Sequence, residues 1–286
     1  MTLELEGQTA VVTGGGRGLG RAFAQALAAA GASVWVMARS QDELDETVTL
    51  VGPRARAVHA DVTDAESVRA AFGQIAAVDV VVNNAGVLGP IGPFAETDFE
   101  RWWQTMNVNV RGTMLPIHAA LPGMIARRRG HIVNVVTGAF SAPYLSAYLT
   151  SKTAVVRATE CLAQEAASSG VALFSFAPGT VRTAMTEHSL TSDEGRRWIP
   201  WFRRVFDEGL DLPAERPAAV VAALVSGRYD ALSGLYLSSF DDLDAMLAER
   251  ERIQQERSHV LMVRPHRVSE QAAAVAKVRD AASRQR

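Results

Sequence analysis

The chain has 286 residues, enough for one large domain built around a single core. Hydrophobic residues make up 48%, charged residues 21% and the net charge is −2, so the composition does not indicate a nucleic-acid partner or an anionic membrane surface. Because there is one cysteine, no basic leader segment and no metal-ligand spacing among the six histidines, we expect a cytoplasmic protein without a disulfide, membrane span or metal.

Short β-branched segments alternate with segments of helical periodicity along the chain. Their near-continuous apolar character indicates parallel strands in a sheet covered on both faces. The alternation therefore predicts a doubly wound α/β fold with a ligand crevice at the carboxyl ends of the strands. Strands are predicted at 9–13, 33–37, 55–60, 78–84, 130–136, 171–177 and 234–239, and helices at 18–30, 41–50, 64–76, 97–126, 147–169 and 213–226.

The first predicted strand runs into a glycine-rich turn, TGGGRGLG at 13–20, and then into a helix. Glycines let the backbone turn sharply and approach a pyrophosphate, while the helix N-terminus offers amide donors and a positive dipole. The turn therefore predicts a dinucleotide site. Its predicted contacts are Gly14, Arg17, Gly18, Leu19 and Gly20.

Cofactor preference is set near the end of the second strand, where a carboxylate would bind the ribose 2′-hydroxyl of NAD. This chain has Ala38 followed by Arg39 there, and Arg17 lies in the glycine turn. A charge-assisted hydrogen bond contributes about 1.5–3 kcal/mol, so either arginine favours a 2′-phosphate. We predict NADP(H) in preference to NAD(H); the alternative is that Arg39 is a solvated arginine at a strand end.

The third and fourth predicted strands also end in polar residues. A carboxylate at Asp61 is placed to accept from an adenine amino group, unless Asp61 or Asp64 only caps the next helix, a role for which Asp64 is better placed. The NNAG segment at 83–86 allows close passage of a cofactor, or its asparagines are turn residues that bond their own backbone. The contacts predicted here are Asp61, Val62, Asn84, Ala85 and Gly86.

Tyr148 and Lys152 are four residues apart on a predicted helix and therefore share one face. A tyrosine titrates near about 10, whereas acid–base work at neutral pH favours a value near about 7. A lysine ammonium about 4 Å away, at an effective dielectric of about 20, supplies the ~4 kcal/mol that this shift requires. The pair is therefore energetically sufficient for acid–base work near neutral pH.

Five motifs resemble those of the short-chain dehydrogenase/reductase family in order and spacing: TGGGRGLG (13–20), NNAG (83–86), NVRG (109–112), the Tyr148-x-x-x-Lys152 pair and PGTVRT (178–183). The similarity covers about residues 5–240. It implies a single Rossmann-type domain at 1–240, a nicotinamide cofactor, and hydride transfer to or from a carbonyl or alcohol carbon, as in a ketoreductase. It also implies a homodimer or homotetramer through helices 97–126 and 147–169.

The resemblance implies a catalytic tetrad of Asn109, Thr137, Tyr148 and Lys152. In this family pattern Tyr148 exchanges the proton, Lys152 lowers its pKa and holds the nicotinamide ribose, and Asn109 anchors a water. The residues implied to wrap the nicotinamide amide are Pro178, Gly179, Val181 and Thr183.

Thr137 departs from the family pattern, which has a serine here and about two more residues before the tyrosine. A threonine hydroxyl donates and accepts as a serine does, but its methyl group stiffens χ1 and narrows the pocket. We predict that Thr137 takes the role. The alternatives are that Ser141 or Ser146 substitutes from the following loop, or that no hydroxyl serves.

The segment 184–212 contains RRWIPWFRRVF, which places aromatic residues at helical spacing. Two interpretations stay open: an aromatic lid over a bulky or apolar substrate, or an amphipathic helix packed on the core or on a partner subunit. The predicted substrate contacts are Phe140, Tyr144, Met185, Trp198, Trp201 and Phe202.

The composition changes after Ser239, where a C-terminal extension at 241–286 is predicted as a charged helix, a short strand at 259–264 and a polar tail. The Asp-Gly-Gly with which many family members finish is absent. The leading function is an NADP-dependent carbonyl reductase or alcohol dehydrogenase that acts on a bulky or apolar small molecule. The alternatives are a redox-neutral dehydratase or isomerase, and a catalytically silent nucleotide-binding protein.

Overall fold

Seven parallel strands form one sheet in a computed structural model that describes residues 4–138 and 140–262. The strand order is β3-β2-β1-β4-β5-β6-β7, so the order reverses between β1 and β4. This reversal creates the crevice in which doubly wound sheets bind ligands. The strands are β1 Thr9–Thr13, β2 Ser33–Ala38, β3 Ala55–His59, β4 Val80–Asn83, β5 Gly130–Val135, β6 Val171–Ala177 and β7 Tyr236–Ser238.

Helices cover both faces of the sheet, which confirms the predicted doubly wound α/β architecture. The helices near the glycine turn and those near Tyr148 and Lys152 set the geometry of the crevice. The helices are α1 Gly18–Ala29, α2 Gln41–Val51, α3 Ala65–Gly73, α4 Phe99–Met106, α5 Gly112–Arg127, α6 Ser146–Ala166, α7 Ala184–Thr191, α8 Asp193–Trp198, α9 Phe202–Asp207, α10 Glu215–Leu224, α11 Leu243–Ala248 and α12 Arg250–Glu256.

Two apolar layers, one on each face of the sheet, hold these elements together. Alternate strand residues point to opposite faces, so Val12 packs with the α1 and α10 layer while Val11 packs with the α3 and α5 layer. Phe23 and Leu27 of α1 are fully buried in the first layer. Burying each such side chain contributes about 1.5–3 kcal/mol, so the sheet is a rigid support for the residues at its carboxyl edge.

The helix predicted at 97–126 is interrupted by a π-helical turn at Asn107–Arg111, between α4 and α5. A π-helical turn inserts an extra residue into the hydrogen-bond ladder, and such turns are frequent at functional sites. Here the turn contains Asn109, which is fully buried. The prediction of one regular helix was therefore wrong at the place where a site residue is presented.

Two further segments differ from their predicted form. The aromatic segment is not one helix, because Pro200 lies between α8 and α9 and cannot continue a helix. The predicted C-terminal helix is two short helices, α11 and α12. Of the strand predicted at 259–264, residues 259–262 form a turn, a bend and irregular backbone, and residues 263–264, like the polar tail, lie outside the described residues. Within residues 4–138 and 140–262, no helix has the length and apolarity needed to cross a bilayer.

Candidate active site

The glycine turn between β1 and α1 is shaped by conformations and contacts that only glycine fits. Gly14 and Gly18 have φ values of +62° and +53°, in the left-handed region. A Cβ at Gly20 would lie 2.1 Å from the Gly14 carbonyl oxygen, so α1 starts directly against the turn. The open backbone and the helix N-terminus together fit the pyrophosphate of a dinucleotide.

Asn84 ties the end of β4 to this turn. Its Nδ2 donates to the carbonyl oxygens of Thr13 and Gly14, 3.2 Å each, while the backbone N–H groups of Asn84 and Ala85 donate to Thr13 Oγ1 at 3.1 Å. Asn83 Nδ2 donates to Asn134 Oδ1 of β5 at 2.8 Å. These amides bond neighbouring strands, so the alternative in which they bond their own backbone is wrong, and Ala85 and Gly86 are held on the crevice wall.

The two arginines at the nucleotide end each face a carboxylate. Arg17 Nη1 lies 3.2 Å from Glu43 Oε1, and Arg39 Nη1 lies 3.9 Å from Asp61 Oδ2. Asp61 Oδ1 accepts from the N–H and Oγ1 of Thr63. Burial raises the pKa of Asp61, but these two bonds and the Arg39 charge together hold it below its usual value. The helix-capping role belongs to Asp64, which accepts from the Glu66 N–H at the start of α3.

Tyr148 and Lys152 lie near the N-terminus of α6 and both line the crevice. Lys152 is 4% exposed; its Nζ donates to the Val135 carbonyl oxygen at 2.8 Å and lies 6.0 Å from the centroid of the Tyr148 ring. A Cβ at Gly86 would be 3.3 Å from Lys152 Nζ. The lysine is thus held between the ends of β4 and β5, beside the tyrosine.

Burial moves both groups toward their neutral forms. It raises the pKa of Tyr148 to about 12, against the hydrogen bond from Thr137 that lowers it, and it lowers the pKa of Lys152 to about 8. The pKa of Tyr148 is therefore shifted away from 7, in the direction opposite to the lowering that the Lys152 ammonium was expected to produce. The low dielectric that strengthens their attraction also penalises each charge, and here the penalty dominates.

Asn109 clamps the loop after β4 to α6. Its Oδ1 accepts from the Val87 N–H at 2.8 Å, and its Nδ2 donates to the Val87 carbonyl oxygen and to Ser151 Oγ, each at 2.9 Å. Ser151 Oγ in turn donates to the Tyr148 carbonyl oxygen at 2.7 Å. The Asn109 side chain therefore positions the helix that presents Tyr148 and Lys152.

Thr137 is the hydroxyl residue that the fold brings to Tyr148. It follows β5, lines the crevice and hydrogen-bonds the phenol. Ser146 Oγ instead accepts from Trp102 Nε1 at 3.0 Å, and Ser141 is exposed on the loop. The structure therefore places the Thr137 hydroxyl, and neither of the two serines, against the Tyr148 phenol.

One continuous cavity of ≈ 980 Å³ joins these groups. Charged residues line its nucleotide end and its middle: Arg17, Arg39, Glu43, Asp61 and Lys152. The lining also includes Pro178, Gly179, Val181 and Thr183. The far end is apolar and is lined by Phe140, Leu149, Met185, Ile199, Trp201, Phe202, Val205, Leu210 and Phe240.

Four of the six predicted substrate contacts, Phe140, Met185, Trp201 and Phe202, lie on this lining. The structure does not bring the other two there. Tyr144 and Trp198 pack against each other, with ring centroids 4.8 Å apart, and Trp198 joins the buried cluster around Ile199. The aromatic segment thus serves both interpretations, since part of it faces the cavity and part packs on the core.

Several residues that shape the site were not identified from the sequence. Ser151 had a signal, a small hydroxyl residue next to Lys152 on the same helix. Glu43, Tyr236 and Phe240 had none, because they reach the cavity from α2, from β7 and from beyond β7. No group of three or more metal-ligating side chains that could hold an ion occurs in the part of the chain that the structure describes.

Comparison with known proteins agrees with this geometry. A family model described as short chain dehydrogenase matches residues 8–194. A short chain dehydrogenase of Pseudocercospora fijiensis is 33% identical over 264 residues, which cover 87% of this chain and 85% of that protein. A solved short chain dehydrogenase/reductase family protein has a TM-score of 0.72 at 34% identity, over 82% of this chain and 97% of the other. A gluconate 5-dehydrogenase from Burkholderia cenocepacia, in complex with NADP and tartrate, has a TM-score of 0.74 at 26% identity, over 83% and 95%.

Proposed function

Because the chain belongs to the short-chain dehydrogenase/reductase family of nicotinamide-dependent oxidoreductases, we propose that it reduces the carbonyl group of a bulky, apolar small molecule with NADPH. One observation carries the proposal. Thr137, Tyr148 and Lys152 meet on the wall of a cavity that runs from the glycine turn to an uncharged aromatic end. A carbonyl compound at the apolar end would therefore meet a proton donor beside the nicotinamide site.

Each residue has a role that its environment supports. Bound nicotinamide supplies hydride at C4. Tyr148 is a neutral phenol at pH 7, because burial raises its pKa to about 12, and so it serves as the acid that protonates the substrate oxygen. The Thr137 hydroxyl has a single proton, which it donates to Tyr148 and which it would donate instead to a bound substrate oxygen. Lys152 keeps further N–H groups for the ribose while one bonds the Val135 carbonyl oxygen.

A spectrophotometric assay tests the proposal. NADPH absorbance at 340 nm should fall when bulky aryl or alicyclic ketones are added. Ketones that carry a carboxylate should give a much lower rate, because no cationic side chain is among the described residues that line the apolar end. Binding of NADPH without turnover on any ketone would instead favour a catalytically silent protein.

Thr137→Val should lower kcat by about 10- to 100-fold, because the phenol and the substrate oxygen lose their shared hydroxyl partner. Thr137→Ser is the matched control and should stay within about threefold of the wild type, since the hydroxyl is kept. Steady-state kinetics of both variants check this. Full activity of Thr137→Val would exclude Thr137 from the reaction and return attention to Ser141 and Ser146.

Arg39→Asp should shift the ratio of the NADPH and NADH Kd values toward NADH by about tenfold or more, because a charge-assisted bond to the 2′-phosphate is replaced by repulsion. Titration of cofactor fluorescence measures both Kd values. Arg69→Asp, on the exposed face of α3, is the matched control and should leave the ratio unchanged. An unchanged ratio in Arg39→Asp would mean that another group, with Arg17 the nearest candidate, reads the phosphate.

A further inference from the structure

Tyr236 reaches the site from β7 and packs in one apolar cluster with Val155 and Val156 of α6. Its phenolic hydroxyl donates to the Thr137 carbonyl oxygen at 3.2 Å, and its side chain lines the cavity. Tyr236 Cα pairs with Ser175 of β6, so the ring starts from the sheet itself and not from a loop. The contact is with the main chain of Thr137, while the Thr137 side chain faces Tyr148.

The orientation of the Thr137 hydroxyl depends on this main-chain contact. The last regular backbone bond on this side is from the Val136 N–H to the Phe176 carbonyl oxygen, 2.8 Å. Thr137 lies one residue beyond it and is followed by Gly138. A threonine has a stiff χ1, so its hydroxyl direction follows the orientation of its backbone. Holding the Thr137 carbonyl group therefore aims the hydroxyl at the phenol.

Residues 257–262, which follow α12, contact both the backbone and the side chain of Tyr236. The Tyr236 N–H donates to the His259 carbonyl oxygen at 2.8 Å, and His259 Nδ1 lies 3.0 Å from the Tyr236 carbonyl oxygen. Leu261 packs with Tyr236 and Val136 in one apolar cluster. The Leu261 N–H donates at 2.6 Å to Glu160, a buried carboxylate of α6 that also pairs with Arg157. The segment thus joins β7 to the helix that carries Tyr148 and Lys152.

We propose that Tyr236 is a positioning residue that fixes Thr137 against Tyr148, and that residues 257–262 hold Tyr236 in place for this task. The proposal rests on the proposed function, since it assigns Tyr236 to the same proton transfer. The proposal connects two departures from the family pattern, the threonine at 137 and the altered chain end. Tyr236 and residues 257–262 together support the hydroxyl of Thr137.

A double-mutant cycle between Tyr236→Phe and Thr137→Val tests the proposal. Tyr236→Phe should lower kcat by about fivefold, the loss that one neutral hydrogen bond typically produces, with the KM for ketone and the Kd for NADPH unchanged. In the Thr137→Val background the same change should have no further effect, because Tyr236 acts through the hydroxyl that is already gone. The kcat–pH profile of Tyr236→Phe should shift toward higher pH. The bond from Thr137 lowers the pKa of Tyr148, so a misplaced Thr137 hydroxyl would lower it less.

The matched control is Tyr229→Phe, which also removes a phenol hydroxyl with a partner, Asp244 Oδ1 at 2.9 Å, but outside the cavity lining. Its kcat should equal that of the wild type. Equal losses from Tyr236→Phe in both backgrounds, or no loss in the wild type, would overturn the proposal. If Tyr236→Phe does not fold, Leu261→Ala replaces it in the cycle and must show the same dependence on Thr137. Wild type that turns over no ketone at all would instead refute the proposed function.

Discussion

Tyr148→Phe should reduce kcat for ketone reduction by about 10²- to 10⁴-fold, the range that a positioned general acid contributes. The change removes the hydroxyl that bonds the Thr137 side chain, on a residue that lines the cavity together with Lys152. The ring remains, so the packing around α6 should persist. The Kd for NADPH should stay within about threefold, because the phenol oxygen is one of many contacts along the cavity.

Stopped-flow and steady-state measurements of NADPH consumption, with Kd from fluorescence titration, check this result. The pairing of lost turnover with retained binding separates a proton donor from a residue that only shapes the cavity. A variant that keeps more than about a tenth of wild-type kcat would show that another group, or solvent, protonates the product.

Lys152→Met should raise thermal stability while it abolishes most activity. The lysine is 4% exposed, and burial lowers its pKa to about 8, so at neutral pH the folded protein carries a desolvated ammonium. Replacing such a charge with an apolar side chain of similar length is expected to raise Tm by about 2–4 °C. The loss of the Lys152 donor beside Tyr148 should lower kcat by about 10²-fold or more.

The lowered pKa of Lys152 also predicts how the stability difference between wild type and Lys152→Met changes with pH. Because the folded-state pKa of Lys152 lies below the ordinary 10.5, the unfolded chain binds more protons between about pH 8 and 10.5. Wild-type stability should therefore rise relative to Lys152→Met as pH increases through that window, and the advantage of the variant should be largest below pH 8. Equal stability curves for the two proteins at all pH values would contradict the burial cost.

The lysine can also be titrated directly, since the sequence contains only two, Lys152 and Lys277. With ¹³C-labelled lysine, the Cε resonance of one residue should titrate near pH 8, and its assignment follows from its absence in Lys152→Met. Both resonances titrating near the ordinary 10.5 would show that the Lys152 ammonium is well solvated or paired.

The strands and the nucleotide end were predictable because their signals are local. Continuous apolar runs such as VVV at 80–82 mark a strand buried on both faces, and a glycine turn between a strand and a helix has few other uses. The order of the motifs then placed Tyr148, Lys152 and Thr137 on one crevice, where the structure brings them together.

What the sequence did not predict depends on distances between elements. The raised pKa of Tyr148 depends on how the folded elements around the crevice surround this partly buried ring, which no spacing in the sequence encodes. Pro200 is a helix breaker, but the helical spacing of the aromatic residues favoured one continuous helix. The structure instead has two helices, with Trp198 at the end of α8 and Trp201 just before α9. Tyr236 lies 99 residues from Thr137 in the chain, so their contact exists only in the folded sheet.

Hydride transfer itself can be followed with NADPH that carries deuterium at both C4 positions. Incubated with wild type and a bulky aryl ketone, it should give an alcohol with one deuterium on the carbinol carbon, seen by mass spectrometry, and Tyr148→Phe should form almost none. An alcohol without deuterium, or a wild-type protein that binds the labelled cofactor and transfers no label to any ketone, would contradict the proposed reaction.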